Sequence, residues 1–440
     1  MEPTQQAMAR LTAAGVHGIA LTWVDNAGIT RVKTVPTGRL GEAVRRGVGM
    51  SPVFDVYLVD DSMTTSPHIG GPAGDLRLVP DLDRLTVLAA QPGWAWAPAD
   101  RYEQSRAAYP ACQRQFARRQ ADRALAEHGI ELRMGFETEW ILTREDQPAG
   151  TGPAYGMARL VEVSAYLDEL MAALTAQGLE VFQIHPEYTP GQFEVSVAPA
   201  DPVAAADLAV LVRETVRAVS TRHGLAASFA PVLDPDGVGS GRHLHLSLWQ
   251  GGKNVCRDGD GPFGMTGLCE AFLAGVLAEL PALLALGAPT PASYLRLKPS
   301  HWAGAFRCWG LENREAALRF ITGAPDDQGA ANAEIKCFDG AANPYLVAGG
   351  VIAAGLAGIA AGRTLPPPVS GDPAASAGDV PDRLPTSLPV ALDHFERSDV
   401  LRRALGEELH AAIMAVRQGE VMLFAAATPD EIAAATRDRY

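Results

Sequence analysis

Acidic and imidazole side chains recur at two-residue spacing in short apolar stretches of this 440-residue chain. Glu137 and Glu139 flank Thr138, Glu187 and Glu194 sit in HPEYTPGQFE, and His243 and His245 flank Leu244 in GSGRHLHLSLW. Arg314 and Arg319 follow in NREAALRF, and Glu334 in NAEIK. A strand sends alternate side chains to opposite faces, so Glu-X-Glu and His-X-His each aim both side chains the same way. Pro190-Gly191 suits a turn that folds Glu194 back beside Glu187. Carboxylates and an imidazole gathered at one point repel unless cations sit among them, and ligand sets rich in oxygen favour Mg²⁺ or Mn²⁺ over zinc. The pattern therefore predicts a divalent-metal site for nucleotide chemistry.

The elements that must position these residues are legible from periodicity. GIALTWVDNAGITRVKTVP alternates on both sides of Asp25-Asn26-Ala27-Gly28 and predicts a hairpin. DLRLVPD and RLTVLAA read as short strands that end at the Pro/Trp-rich QPGWAWAPAD. From about Ala107 the character changes. QRQFARRQADRALAEHG reads as a helix, MGFETEWIL as a strand, SAYLDELMAALTAQG as a helix and LEVFQIH as a strand, with a further helix after Asp201-Pro202. These features predict an α+β chain with a small β-rich N-terminal domain over residues 1–106 and a larger catalytic domain over 107–440. A proline-rich linker, PPPVSGDPAASAGDVPDRLP, is expected before the terminal helices. The Ala/Gly-rich run at 346–362 is at the short end of the roughly 17–25 residues a membrane span needs, and reads as a closely packed buried helix.

Composition narrows the function classes. A hydrophobic share of 47% provides for a large core, and a formal net charge of −14 argues against general nucleic-acid binding. Five cysteines without Cys-X-X-Cys spacing predict reduced thiols, no disulfide and no cysteine-based zinc site. No basic region followed by an apolar run opens the chain, so a cytoplasmic, non-membrane protein is expected. GVGSG at Gly237–Gly241 leads into a strand and lacks Gly-Lys-Ser/Thr, so it does not read as a phosphate loop.

Taken in order, Glu-X-Glu, HxE…GQxE, GSGxHxHxSL, SYxRLxP, NRxxxxR and a Glu shortly before ANPYL resemble the glutamine synthetase superfamily along essentially the whole chain. The resemblance implies a β-grasp-like N-terminal domain and a catalytic domain with a curved antiparallel sheet flanked by helices. It also implies ATP and two divalent ions, Mg²⁺ or Mn²⁺, per active site. Glu139, Glu187 and Glu194 would hold one ion beside the acid substrate, and Glu137, His243 and Glu334 the one carried with ATP. His245, Ser247 and Arg319 would lie along the nucleotide, Arg296 would grip the substrate α-carboxylate, and Arg314 and Arg319 would face the phosphates. Gly239, Trp302 and Lys336 complete the implied substrate site. The implied reaction is phosphoryl transfer from ATP to a carboxylate, followed by attack of an amine on the acyl phosphate. The implied assembly is a dodecamer of two hexameric rings with sites between neighbouring subunits.

Departures from the pattern bear on the substrates. Glutamine synthetases bind ammonium with an Asp of an Asp-Gly-Ser turn and a Glu on a flap after SYxRLxP. Here MSPVFDVYLVDDSM contains no Asp-Gly-Ser, and Trp302 takes the flap glutamate's place in PSHWAG. An aromatic wall packs against an alkyl chain or lies over an amine cation. The WAG-like flap, with CWG and NREAALR after it, resembles the γ-glutamyl-amine synthetase branch, whose substrates are glutamate and an alkylamine, ethanolamine or a polyamine. Lys336 stands where an Arg is usual, and Val238 where an Asn is common, so glutamate or a related carboxylic acid is the expected partner of the amine. Ammonium-dependent glutamine synthesis is the enzymatic alternative. A retired, inactive binding or structural protein is the other, and loss of metal carboxylates would be its sign; all five carboxylates remain.

Overall fold

The structure, a computed structural model, describes residues 3–324, 326–327, 329–375 and 380–440. The first alternating stretch forms the expected hairpin: β1 (Gly18–Val24) pairs antiparallel with β2 (Thr30–Pro36). Strands β3 (Val48–Met50), β4 (Leu76–Pro80), β5 (Thr86–Val87) and β6 (Trp94–Glu103) complete a sheet in the order β2-β1-β6-β4-β3, with β5 on β6. β6 corrects the sequence reading, which ended the strands at QPGWAWAPAD. Pro98 argues against a central strand because it lacks an N–H. Its carbonyl instead accepts from Asp81 N, and β6 runs parallel to β1 through it.

The remaining strands are β7 (Glu131–Phe136), β8 (Thr138–Arg144), β9 (Gln147–Pro148), β10 (Val181–Pro186), β11 (Gln192–Val197), β12 (Ala226–Ser228), β13 (Leu244–Gln250), β14 (Lys253–Asn254), β15 (Phe306–Leu311), β16 (Ala316–Ile321) and β17 (Asn332–Ile335). They form two sheets, β10-β11-β8-β12 with β9 on β8, and β14-β13-β17-β16-β15 with β7 on β13. All these pairings are antiparallel except β15 with β16. MGFETEWIL, read as one strand, is therefore two strands that belong to different sheets. The chain passes from one sheet to the other at Glu137.

Helices pack around these sheets. α1 (Pro3–Ala13) and α2 (Leu40–Arg46) accompany the first sheet; α3 (Gln113–His128), α4 (Met157–Glu162), α5 (Ser164–Ala176), α6 (Pro202–Arg222), α7 (Gly267–Gly287), α8 (Pro291–Arg296) and α9 (Pro344–Ala360) follow, and four further helices span 388–437. α3 ends as its sequence suggests, on Gly129 in the left-handed conformation. α6 begins on Asp201, whose carboxylate accepts from Val203 N and Ala204 N. Arg114 of α3, almost fully buried, ties the layers together. It meets both oxygens of Asp207 on α6 and single oxygens of Asp81 and Asp100 beside the first sheet, and Tyr345 of α9 donates to Asp207 at 2.7 Å.

α9 is the buried Ala/Gly helix expected from sequence. α7 is long and apolar enough to cross a membrane by length and composition, yet most of it is buried inside the protein, against α9. The two approach so closely that Gly275 of α7 and Gly358 of α9 face each other: a Cβ at Gly275 would lie 2.4 Å from Ala354 O and 2.6 Å from Gly358 Cα. The five cysteines are free thiols, all buried, as expected. The proline-rich stretch differs from its reading as a linker. Its described part runs back along β15, with Val369 N bonded to Trp309 O and Leu384 N to Ala305 O; residues 376–379 lie outside the described residues.

The helix contact yields a stability prediction. Gly275→Val forces backbone apart from backbone and should destabilise by about 1–3 kcal/mol or more. Gly267→Ala, in the open first turn of the same helix with nothing within 4 Å of its Cβ, should be neutral or slightly stabilising. Thermal unfolding of the two variants checks the contrast.

Candidate active site

A cavity of about 890 Å³ opens where the two catalytic-region sheets meet, and twelve of the fourteen residues singled out from sequence line it. These are Glu137, Glu139, Glu187, Glu194, Gly239, His243, Arg296, Trp302, Arg314, Arg319, Glu334 and Lys336. His245 and Ser247 do not. They continue along β13 beyond the cavity wall, where His245 Nδ1 pairs with Asn332 Oδ1 and Ser247 Oγ accepts from Trp249 Nε1.

Strand pairing explains the convergence. Residues opposite each other across a ladder sit within a few ångströms, so registered polar side chains on one face must meet. On β11 and β8, Glu194 lies opposite Glu139, and on β10 His185 lies opposite Glu194. On β13 and β17, His245 lies opposite Glu334, which on its other side lies opposite Arg319 of β16. The Pro190-Gly191 turn closes β10 onto β11 as expected; Gly191 has φ 78°, and a Cβ there would come within 2.6 Å of Leu142 O. Arg159 of α4 clamps this turn through the carbonyls of Glu187, Tyr188 and Thr189.

Among the described residues, two groups have the chemistry of a cation site. Ligand atoms of Glu137, His243 and Glu334 lie within 4.8 Å of one another, as do those of His185, Glu187 and Glu194. Glu139 sits between them. Its Oε1 is 3.8 Å from His243 Nε2, and its Oε2 accepts from Gln192 Nε2 and Gly241 N. His185 thus joins the second group at closer range than Glu139 does. Carboxylate and imidazole donors, three in each group, suit hard divalent cations.

The protein holds this negative charge with its own cations. Burial alone would raise Glu137, but hydrogen bonds from His243 at 2.7 Å and His245 at 3.0 Å, with their charges, pull it well below the usual carboxylate range. Burial likewise opposes ionisation of Glu334, yet Lys336 at 3.1 Å, with His245 and His243, lowers it; Arg319 reaches its other oxygen at 3.0 Å. Glu194 goes the other way, raised to about 7 by burial, with Glu137 and Glu139 adding to the effect against the hydrogen bond from His185. His185 is raised to about 9, chiefly by its hydrogen bond to Glu194. Arg296 is buried, with one nitrogen 3.2 Å from His243 Nε2 and 3.1 Å from Lys336 O, while its other terminal nitrogen, also buried, has no partner among the described residues. A guanidinium on the cavity wall with donor capacity to spare suits a carboxylate.

Three further residues stand out that were not assigned from sequence. His185 stands inside the HxE motif itself. Tyr155 is an exposed residue at a left-handed backbone position (φ 57°) on the cavity rim, and no pattern marks it. Asp60 begins an Asp-Asp-Ser turn in which Asp61 has φ 68° and Ser62 N donates to Asp60 Oδ1. Asp61 adopts the left-handed conformation a glycine would favour, so this turn has the backbone feature of Asp-Gly-Ser without its letters. Asp60 is exposed and does not line the cavity.

Comparison with known proteins gives consistent matches. The family described as glutamine synthetase, catalytic domain, matches residues 110–434. Gamma-glutamylpolyamine synthetase GlnA3 of Streptomyces coelicolor is 54% identical, over 98% of this chain and 95% of its own length. Gamma-glutamylanilide synthase of an Acinetobacter species is 28% identical, over 99% of this chain and 93% of its own. Among solved structures, one described as a novel glutamine synthase homolog superposes with a TM-score of 0.87 at 34% identity, covering 97% of this chain and 99% of that one.

Protonation of the second group sets a pH dependence. A metal ion there must displace protons from His185, protonated below about 9, and from Glu194, protonated below about 7. Mn²⁺ affinity should therefore fall as pH drops from about 8 to about 6, with protons released on binding. Calorimetry in buffers of different ionisation enthalpy reads both.

Proposed function

Because the chain belongs to the glutamine synthetase family, we propose that it is an ATP-dependent ligase joining the γ-carboxylate of glutamate to an organic amine of the alkylamine or polyamine class. The observation that carries the amine reading is the cavity rim. Tyr155, Tyr188 and Trp302 all line it, with 52%, 58% and 58% of their surface exposed. Aromatic faces attract cations, and a polyamine keeps ammonium groups on the nitrogens that are not acylated. The relative at 54% identity carries polyamine in its name, which supports the same substrate class.

In this reading Arg296 grips the α-carboxylate of glutamate, with Gly239 and Lys336 beside it. Arg314 and Arg319 face the transferring phosphoryl group, and His245 and Ser247 lie along the nucleotide. Glu137, His243 and Glu334 would hold one divalent ion and Glu139, Glu187 and Glu194, with His185 adjoining, a second, and that positive charge would neutralise the phosphate oxygens. The γ-phosphoryl group passes from ATP to the substrate carboxylate, releasing ADP. The amine nitrogen then attacks the acyl carbon, phosphate leaves with the bonding pair, and the amine loses a proton.

The proposal extends to a cytoplasmic homo-oligomer of two hexameric rings, with residues 1–106 as its N-terminal domain and 107–440 as its catalytic domain. Asp60 of one subunit would then approach the cavity of its neighbour and offer a carboxylate to the amine cation.

Three measurements test this reading. ATP-dependent phosphate release with glutamate should be faster for alkylamines, ethanolamine or polyamines than for ammonium, by about one to two orders of magnitude in kcat/KM, since each buried methylene contributes roughly 0.8 kcal/mol. Trp302→Glu should narrow that gap. Turnover with ammonium equal to that with every amine would return the chain to glutamine synthesis. Glu139→Ala and Glu334→Ala should each lower turnover by at least about 10²-fold, the scale of several kcal/mol of metal-held charge.

A further inference from the structure

Trp302 sits on a strained segment, and one buried side chain holds it there. Within 299–304, Ser300 has φ 58° and Trp302 φ 55°, left-handed positions that a bulky residue rarely takes and that persist only where surrounding contacts enforce them. His301 between them lines the cavity, and its ring meets the carbonyl of Pro299 at 2.9 Å. The contact that fixes Trp302 comes from Glu315, whose Oε1 accepts the Trp302 N–H at 2.6 Å. Glu315 is 6% exposed and lies behind the segment rather than on the cavity wall.

Glu315 is itself braced. Its N–H donates to Asn313 Oδ1 at 3.0 Å, and Asn313 Nδ2 donates to the carbonyls of Val369 and Gly371. The next residue, Asp372, accepts from Ser300 Oγ at 2.9 Å. The 312–315 turn, the strap at 369–372 and the segment bearing Trp302 thus close into one hydrogen-bonded ring. Arg314, between Asn313 and Glu315, points into the cavity from that ring.

We propose that Glu315 is a positioning residue for amine selection: its carboxylate latches the Trp302 backbone, and so sets where the indole wall stands over the incoming amine. The proposal rests on the reading of Trp302 as that wall. An acceptor oxygen is what the latch needs, so Glu315→Gln should preserve it, whereas Glu315→Leu keeps the volume and removes the acceptor.

Hydrogen exchange of the full-length protein, followed by mass spectrometry over 298–304, reads the latch without any substrate. In Glu315→Leu the Trp302 amide should exchange about tenfold faster or more, because its acceptor is gone. The same variant should raise KM for the preferred amine by about five- to tenfold while KM for ATP stays within about twofold, a split that a general loss of structure does not give. Glu315→Gln should restore both values. Wild-type exchange and wild-type amine KM in Glu315→Leu would overturn the proposal, and so would amine and ATP constants rising in step. Should Glu315→Leu fail to fold, Asp372→Ala at the second tie carries the test: faster exchange of the segment with a raised amine KM supports the latch, and unchanged values overturn it. If ammonium serves as well as any amine, the aromatic-wall reading falls on its own, while exchange still judges the latch.

Discussion

Repulsion between carboxylates is the constraint around which this molecule is arranged. Two such groups about 4 Å apart repel by roughly 4 kcal/mol at an effective dielectric of about 20, and five of them line one cavity. The fold answers with His185, His243, His245, Arg319 and Lys336, each within 4 Å of at least one of those carboxylates. Buried anions left unpaired would unfold the region or take up protons, and even beside His185 burial and the neighbouring carboxylates push Glu194 up to about 7. The layers beneath, tied by Arg114 and by the close contact of α7 with α9, keep the strands in the register this balance requires.

Much of the site was legible because strand periodicity survives local irregularity. Glu137 and Glu139 were expected on one face of one strand. They line one cavity although the strand breaks at Glu137, since Glu137 N still bonds to His243 O and extends the β13 ladder by one residue. The His243 and His245 pair shows the limit of that reasoning. Alternation put both on one face, and both do reach Glu137, yet only His243 opens to the cavity because the wall ends between them.

What sequence left unread has physical causes of three kinds. β6 was missed because Pro98 removes a donor, a loss the parallel pairing with β1 tolerates. The Asp60 turn was passed over because its signature was sought in a glycine, whereas an Asp at position 61 takes up the same backbone, held by Arg31 and Arg439 on its carboxylate. The proline-rich stretch read as a linker because composition reports what cannot form a ladder or a helix. It does not report that carbonyls at 369 and 371 remain free to accept from a side chain elsewhere.

The crossing at Glu137 has a mechanical side. A single residue joins β7 of one sheet to β8 of the other; its side chain spans His243 and His245 on the first sheet, while Glu139 on the second reaches back to the first through Gly241 N at 2.9 Å and His243 Nε2 at 3.8 Å. Sliding one sheet past the other by even a fraction of an ångström therefore lengthens or shortens these contacts in the same stroke. Electrostatic balance and inter-sheet geometry form one coordinate here, and a strain gauge built from a carboxylate is the nearest everyday likeness.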